Sequence, residues 1–205
     1  DMEVPFQRIA QSLFSNKKIP VVISDESLGF GINLPIKTVV MLGEKDTEII
    51  ERKKEVIEKG FKIISKDFNR PWGGFLVIDE SQAQDFADNF FNGINIESLK
   101  IGGKLSPKIL IVSPNSKLSW QYHHRRAEIW RVLKGKVGIS RSFDDKEKPM
   151  ITLNENDQIK LDKGERHRLI GLDDFSVISE IWQHTDPDYP SDENDIVRIS
   201  DDYGR

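Results

Sequence analysis

The sequence predicts a mainly β fold, an antiparallel barrel or sandwich preceded by a small α/β appendage. Three observations carry that reading. From residue 61 onward, short strand-like runs recur at 61–64, 74–78, 109–112, 130–133, 137–142, 150–153, 158–161, 168–171 and 176–182. Turn residues divide them, among them Asn69-Arg70-Pro71, Ser113-Pro114-Asn115, Lys134-Gly135-Lys136 and Asp162-Lys163-Gly164. Short strands punctuated this regularly close into barrels or stack as sandwiches. Helical spacing, in contrast, is confined to residues 1–60 and to one interruption at 81–103.

Taken in order, residues 6–16 set Phe6, Ile9, Ala10, Leu13 and Phe14 on one helical face. A β-branched run at 19–23 follows, then a loop shaped by Gly29, Gly31 and Pro35, then a second apolar run at 38–42. This order across 6–43, with Gly31-Ile32-Asn33-Leu34-Pro35 after the first strand, resembles the region around motif V of superfamily 2 helicases. The chain has no Gly-rich Walker A loop, no Asp-Glu box for magnesium and no arginine-rich motif VI, so these residues assemble no ATP-driven motor.

Residues 44–60 are rich in Glu and Lys. Ile49, Ile50, Val56 and Ile57 form a narrow apolar stripe, and Glu48–Arg52 and Glu55–Lys59 are favourable pairs one turn apart. The pattern predicts a solvated helix that links two parts, capped by Asp46 or Thr47 and closed by Gly60. The expected division is 1–60 for the appendage and linker helix and 61–205 for the β domain. Within 81–103, Phe86, Phe90 and Phe91 share a helical face, and Gly93, Gly102 and Gly103 mark a loop. This insertion is expected over the mouth or an edge of the barrel.

The 205 residues carry a formal net charge of -4, which gives no basic balance for nucleic acid. Cysteine is absent, which excludes disulfides, thiolate catalysis and Cys-ligated metals and favours the cytoplasm. No apolar run nears the ~20 residues of a membrane-spanning helix. The start, Asp1-Met2-Glu3-Val4-Pro5, lacks the basic and apolar segments of a signal peptide. A cytoplasmic protein that engages neither membrane nor nucleic acid is expected.

Candidate chemistry concentrates at 121–130. Gln121 and His123 lie two apart, so on a strand they point to one face. Glu128 follows, and Gly164-Glu165-Arg166-His167 supplies another imidazole. Two imidazoles, a carboxylate and an amide oxygen suit a divalent metal such as Zn, Fe, Mn, Ni or Co.

These residues resemble the cupin family. In the first cupin motif His123, Glu128 and Gly135 match, while Asn115 and Gln121 replace its first Gly and first His. In the second, Gly164 and His167 match, while Asn156, Asp162 and Gly171 replace Gly, Pro and the final Asn. Within cupins the chain is similar to the type II mannose-6-phosphate isomerase group. Four blocks carry this in order: Arg70-Pro71-Trp72-Gly73, the run from Leu118 to Trp130, Gly164-Glu165-Arg166-His167-Arg168-Leu169, and the closing run from Asp195 to Arg205. Arg125 stands where the group often has a third His, and Ile129 where it has His before Trp. Bifunctional members also carry a nucleotidyltransferase domain, and the residues present hold no Gly-rich phosphate loop, so guanylyl transfer is not expected of them.

The resemblance implies a cupin barrel (double-stranded β-helix, jelly roll), a metal held by Gln121, His123, Glu128 and His167, and a homodimer. It implies a mannose 6-phosphate/fructose 6-phosphate isomerase, with a non-catalytic sugar-binding or regulatory cupin as the alternative. An aldose–ketose isomerase needs a base, and Glu180 is the candidate because Glu180, Trp182 and His184 share a face of a late strand. Lys108 and Arg198 are expected to hold phosphate or to neutralise developing charge, and Arg125 and Arg126 to bind substrate. His124 is expected to face outward, Trp130 and Trp182 to sit in the core, and His184 is unassigned.

Overall fold

Among the described residues, eleven strands form two antiparallel sheets. The larger contains, in spatial order, β1 (Ile63–Arg70), β2 (Gly73–Ile78), β3 (Lys108–Val112), β10 (Ser176–His184), β5 (Arg126–Lys134) and β8 (Gln158–Leu161). The smaller contains β11 (Val197–Ser200), β4 (Trp120–Tyr122), β9 (Arg166–Gly171), β6 (Val137–Ser142) and β7 (Ile151–Leu153). From β4 onward the chain passes back and forth between the sheets, which is the winding of a double-stranded β-helix. The fold is the expected cupin barrel.

The computed structural model describes residues 44–100 and 103–204. The elements expected within 6–43, including the helicase-like segment, lie outside them. The chain divides into two compact units, Asp1–Glu51 and Arg52–Arg205, and both sheets belong to the second. Helix α1 (Glu44–Glu58) starts earlier than the Asp46 or Thr47 caps allow, so Thr47 lies inside its first turn. Its end is as expected: Gly60 takes φ +84°, and the amide of Phe61 donates to the carbonyl of Val56, which closes the last turn.

Side-chain alternation along the strands gives the larger sheet two buried faces. Facing inward, Leu110, Trp130, Val132 and Ile178 meet Val137, Ile139 and Leu169 of the smaller sheet in one core. Facing outward, Leu76, Ile109, Ile129 and Ile181 pack under Phe86, Phe90, Phe91 and Ile96. Those last residues come from α2 (Ala83–Phe90), the segment after it and α3 (Ile96–Leu99). The 81–103 insertion therefore covers the outer face of the larger sheet, not the mouth or an edge. Ring centroids of Phe86 and Phe90 lie 4.9 Å apart, and Phe61 stands edge-on to Phe86 at 5.8 Å. A phenylalanine cluster this dense needs an apolar floor, and only a sheet face supplies one.

Backbone requirements explain several motif positions. Gly73 has φ +134°, and a Cβ there would lie 1.9 Å from the carbonyl oxygen of Ile111. Asn115 (φ +53°) and Asn156 (φ +74°) occupy the left-handed region at the places where the cupin motifs have Gly. Asparagine tolerates that region best among residues with a side chain, so both departures preserve the turn. Strands β4 and β11 were not foreseen. Both are short, and they pair with each other, Arg198 opposite Gln121. β1 also runs on to Arg70, past the strand expected at 61–64.

Candidate metal centre

Gln121 lies on β4, and His123 is the second residue after it. Glu128 sits on β5 and His167 on β9. Sheet pairing draws them together. Gln121 is the cross-strand partner of His167, and the amide of Gly164 donates to the carbonyl of His123 at 3.0 Å. The side chains of His123, Glu128 and His167 are each 98% buried, and one donor atom from each lies within 4.8 Å of the other two. Nε2 of His123 is 3.1 Å from Oε1 of Glu128, and Nε2 of His167 is 3.4 Å from Oε2.

Each imidazole is held from behind. Nδ1 of His123 donates to the carbonyl of Asp195 at 2.5 Å, and Nδ1 of His167 donates to the carbonyl of Glu165 at 2.9 Å. With the protons on Nδ1, both Nε2 atoms present lone pairs to the cluster, the arrangement metal-binding histidines use. Glu165 is itself fixed by a two-pronged ion pair with Arg141, at 2.5 and 2.8 Å. Asp195 takes hydrogen bonds from Ser191 Oγ and from the amides of His124 and Arg125. Burial pushes its carboxyl up, but these donors outweigh burial and hold it below the usual range.

Burial holds the His123 imidazole below its ordinary pKa, hence neutral and able to ligate. Burial pushes the Glu128 carboxyl up, but the Arg126 guanidinium bonded to it more than offsets this and holds it well below the usual range. Arg126 is buried and fully engaged. It donates from Nε to Glu128 Oε1 at 2.7 Å and from a terminal nitrogen to Ser191 Oγ at 2.9 Å. Its other terminal nitrogen lies 3.1 Å from Nε2 of His123.

Two polar atoms in this cluster are buried without a hydrogen-bond partner, Oε2 of Glu128 and Nε2 of His167. Orphaned buried acceptors are costly unless something other than the side chains satisfies them. A carboxylate oxygen beside an imidazole lone pair is the donor set a divalent cation takes, so the residues fit such a metal. Gln121 lines the same cleft, its Oε1 accepting from Ser119 Oγ at 2.5 Å. For His123 to join the set, Arg126 must withdraw from Nε2.

Through Glu128 the cluster borders a cleft of about 90 Å³ whose walls include Lys108, Arg126, Glu180, Trp182, Glu193 and Arg198, while His123 and His167 stand behind its lining. Glu180 is buried and accepts from Trp130 Nε1 at 2.9 Å. Burial raises its carboxyl to about 7, with the nearby Glu128 carboxylate adding to the shift. Lys108 is its cross-strand neighbour, buried, and ion-paired to Glu193, whose side chain is 58% exposed. Arg198 reaches the cleft from β11. Arg125 does not. It donates to the carbonyls of Tyr189 and Pro190 and stacks on the Tyr189 ring at 3.9 Å, so it fastens the 189–195 segment. His124 is exposed, as expected. His184 is buried, with Nδ1 accepting from the amide of Ser191 and Nε2 beside Ser106 Oγ at 3.1 Å.

Residues that sequence reasoning missed are Trp182 as a cleft wall, Glu193 as the partner of Lys108, and the Asp195 carbonyl behind His123. Only the last had a signal, since Asp195 opens the closing motif.

The family model described as mannose-6-phosphate isomerase C-terminal matches residues 90–201, more than half of the chain. The chain belongs to that family. The alginate biosynthesis protein AlgA of Pseudomonas aeruginosa is 28% identical over 170 residues, 83% of this chain and 32% of that protein. The xanthan biosynthesis protein XanB of Xanthomonas campestris is 32% identical over 109 residues, 53% of this chain and 22% of the relative. A mannose-1-phosphate guanylyltransferase of Escherichia coli is 29% identical over 147 residues, 69% and 24%. This chain thus matches about a third or less of each relative's length. Among solved structures, vicilin from Corylus avellana overlays with a TM-score of 0.46 at 16% identity, covering 68% of this chain and 36% of that one. Oxalate decarboxylase from Bacillus subtilis gives 0.45 at 12% identity, covering 66% and 30%. Among the described residues, no helix is long and apolar enough to cross a membrane.

Proposed function

We propose that this chain is a metal-dependent sugar-phosphate aldose–ketose isomerase that interconverts mannose 6-phosphate and fructose 6-phosphate. One observation carries the reading: a buried His123–Glu128–His167 cluster with two unspent donor atoms, beside a cleft that holds both a buried carboxyl and buried cations. Family membership supports it.

In this reading His123, Glu128 and His167 hold the metal, and Gln121 adds its amide oxygen. A divalent ion there, Zn or one of Fe, Mn, Ni and Co, supplies Lewis-acid polarisation of the sugar oxygens. Glu180 carries the proton between C1 and C2. A carboxyl raised to about 7 both accepts and returns a proton near neutral pH, and Trp130 steers it by holding Oε1. Lys108, Arg126 and Arg198 balance the phosphate and the negative charge that develops on the substrate. The same reading places the protein in the cytoplasm as a homodimer.

Metal-loaded protein is expected to form fructose 6-phosphate from mannose 6-phosphate in an enzyme-linked assay, and His123→Ala is expected to lose both metal and turnover. No interconversion of any hexose or heptose phosphate by metal-loaded protein ends the isomerase reading. A non-catalytic sugar-binding cupin is the second reading, and Arg126 favours it, because its guanidinium already sits against His123 and Glu128 as a built-in cation. Metal-free protein that binds sugar without converting it decides for that alternative.

A further inference from the structure

The inner wall of the cleft carries an indole whose only polar group is unspent. Trp182 is 96% buried and lines the cleft, yet its Nε1–H has no hydrogen-bond partner. Two other buried indoles behave differently: Trp120 donates to the carbonyl of Asp145 and Trp130 to Glu180, each at 2.9 Å. A buried N–H left unpaired costs free energy, so it marks a place where an acceptor belongs.

The surroundings say what kind of acceptor. Trp182 stands on β10, between β3 and β5, and each flanking strand sends a cation onto its ring. Nζ of Lys108 lies 3.4 Å from the ring centroid, and Cζ of Arg126 lies 3.6 Å from it. Two buried cations stacked on one indole fix its plane and pull electron density from the ring, which makes the N–H a stronger donor. Each is paired to a carboxylate, Lys108 to Glu193 and Arg126 to Glu128, but Arg70 and Arg198 line the same cleft, so its cations outnumber its carboxylates. An acceptor drawn there is an anionic oxygen. The cross-strand partner of Trp182 is Glu128, so this donor stands beside the metal cluster on the next strand.

We infer that the Trp182 indole N–H is a ligand-positioning donor that hydrogen-bonds an anionic oxygen of the molecule bound in the cleft. The chemical class is an oxyanion, phosphate or the charged oxygen of a sugar phosphate. The inference rests on the proposed sugar-phosphate site for its natural ligand, but its chemistry is testable with inorganic phosphate alone.

Two measurements on the full chain decide it. Calorimetric titration with inorganic phosphate and with fructose 6-phosphate compares wild type with Trp182→Phe, which keeps a smaller aromatic ring for Lys108 and Arg126 and removes the donor. Binding is expected to weaken about tenfold to 150-fold, the range of one hydrogen bond to a charged group, with metal content unchanged. In 15N-labelled wild type, the Trp182 indole proton is expected to move downfield as phosphate is added, while the Trp120 and Trp130 indoles move less. This second measurement stands even where the variant fails to fold. Affinity within twofold of wild type, or an unmoved Trp182 indole resonance, overturns the inference. Wild type that binds none of these anions overturns it too. If phosphate binding depends on Trp182 but no isomerisation occurs, the isomerase reading falls and this donor stands. Isomerisation with an undisturbed indole overturns the donor and leaves the isomerase standing.

Discussion

His167 and His184 are both buried, both on central strands, and both fastened through one ring nitrogen to a main-chain group. They differ at the other nitrogen. In His184 it meets Ser106 Oγ, so the ring is fully spent on holding β10 to the segments that carry Ser106 and Ser191. In His167 it faces Glu128 with nothing to donate to it. Burial therefore does not separate these two histidines. The unspent atom does, and the same criterion separates Trp182 from Trp130.

The largest effects should come from breaking the unspent side. His167→Ala is expected to abolish metal binding, read as metal per chain, by more than the roughly 10- to 100-fold that loss of an orienting partner costs. His184→Ala should leave metal content unchanged. If the two results are exchanged, the distinction drawn between these histidines is wrong. Next in size, Glu180→Gln should lower kcat about 100- to 10,000-fold with binding of fructose 6-phosphate retained, as expected for loss of a general base.

Stability tests come next. His184→Ala strands the Ser191 amide and opens a cavity, so denaturant unfolding should show a loss of about 2–4 kcal/mol. Its pH dependence has a definite sign. Burial, with Lys104 and Arg126 nearby, lowers the His184 pKa to about 4, while the unfolded chain takes its proton near 6.5. The stabilisation is complete above pH 6.5 and drains as pH falls toward 4, on the order of 2 kcal/mol. Glu180 works in the opposite sense. Its folded value is raised to about 7, so its burial penalty is absent below the unfolded pKa near 4.5 and grows as pH rises to 7. Glu180→Gln should accordingly gain stability relative to wild type at pH 8 but not at pH 4, measured by urea midpoints. The smallest effect is expected at Glu193, whose carboxylate is exposed beyond its bond to Lys108. Glu193→Gln should change the KM for sugar phosphate only a few-fold, by removing an internal competitor for Lys108.

Much of this molecule was legible in the sequence, for reasons that can be named. Strands β2, β3 and β5 through β10 declare themselves because long β-branched runs end at Gly, Asn or Asp turns. His123, Glu128 and His167 fall into one cluster because motif spacing reflects strand register. Strands β4 and β11, no shorter than β7 and β8, escaped because each owes its pairing to the other, Tyr122 opposite Val197, far along the chain. The contacts of Arg125 were not legible, because a loop arginine turns toward whatever carbonyls lie near it, and those of Tyr189 and Pro190 come from far along the chain. The insertion at 81–103 announced an amphipathic helix, but amphipathicity tells that a face is covered and not which face. The pairing of Lys108 with Glu193, and the stacking of Lys108 and Arg126 on Trp182, depend on three strands meeting side by side. No window of sequence contains them.

The carbonyl of Asp195 behind His123 has a consequence for how this protein is made. A chain emerging from the ribosome presents Gln121, His123, Glu128 and His167 before it presents the residue that fixes the ring of His123. All four candidate donors exist in the nascent chain while one of them is still free to rotate and to change tautomer. If the cluster holds a metal as proposed, tight capture comes late in synthesis, and a chain cut between residues 186 and 194 carries every candidate ligand and an unfixed His123 ring.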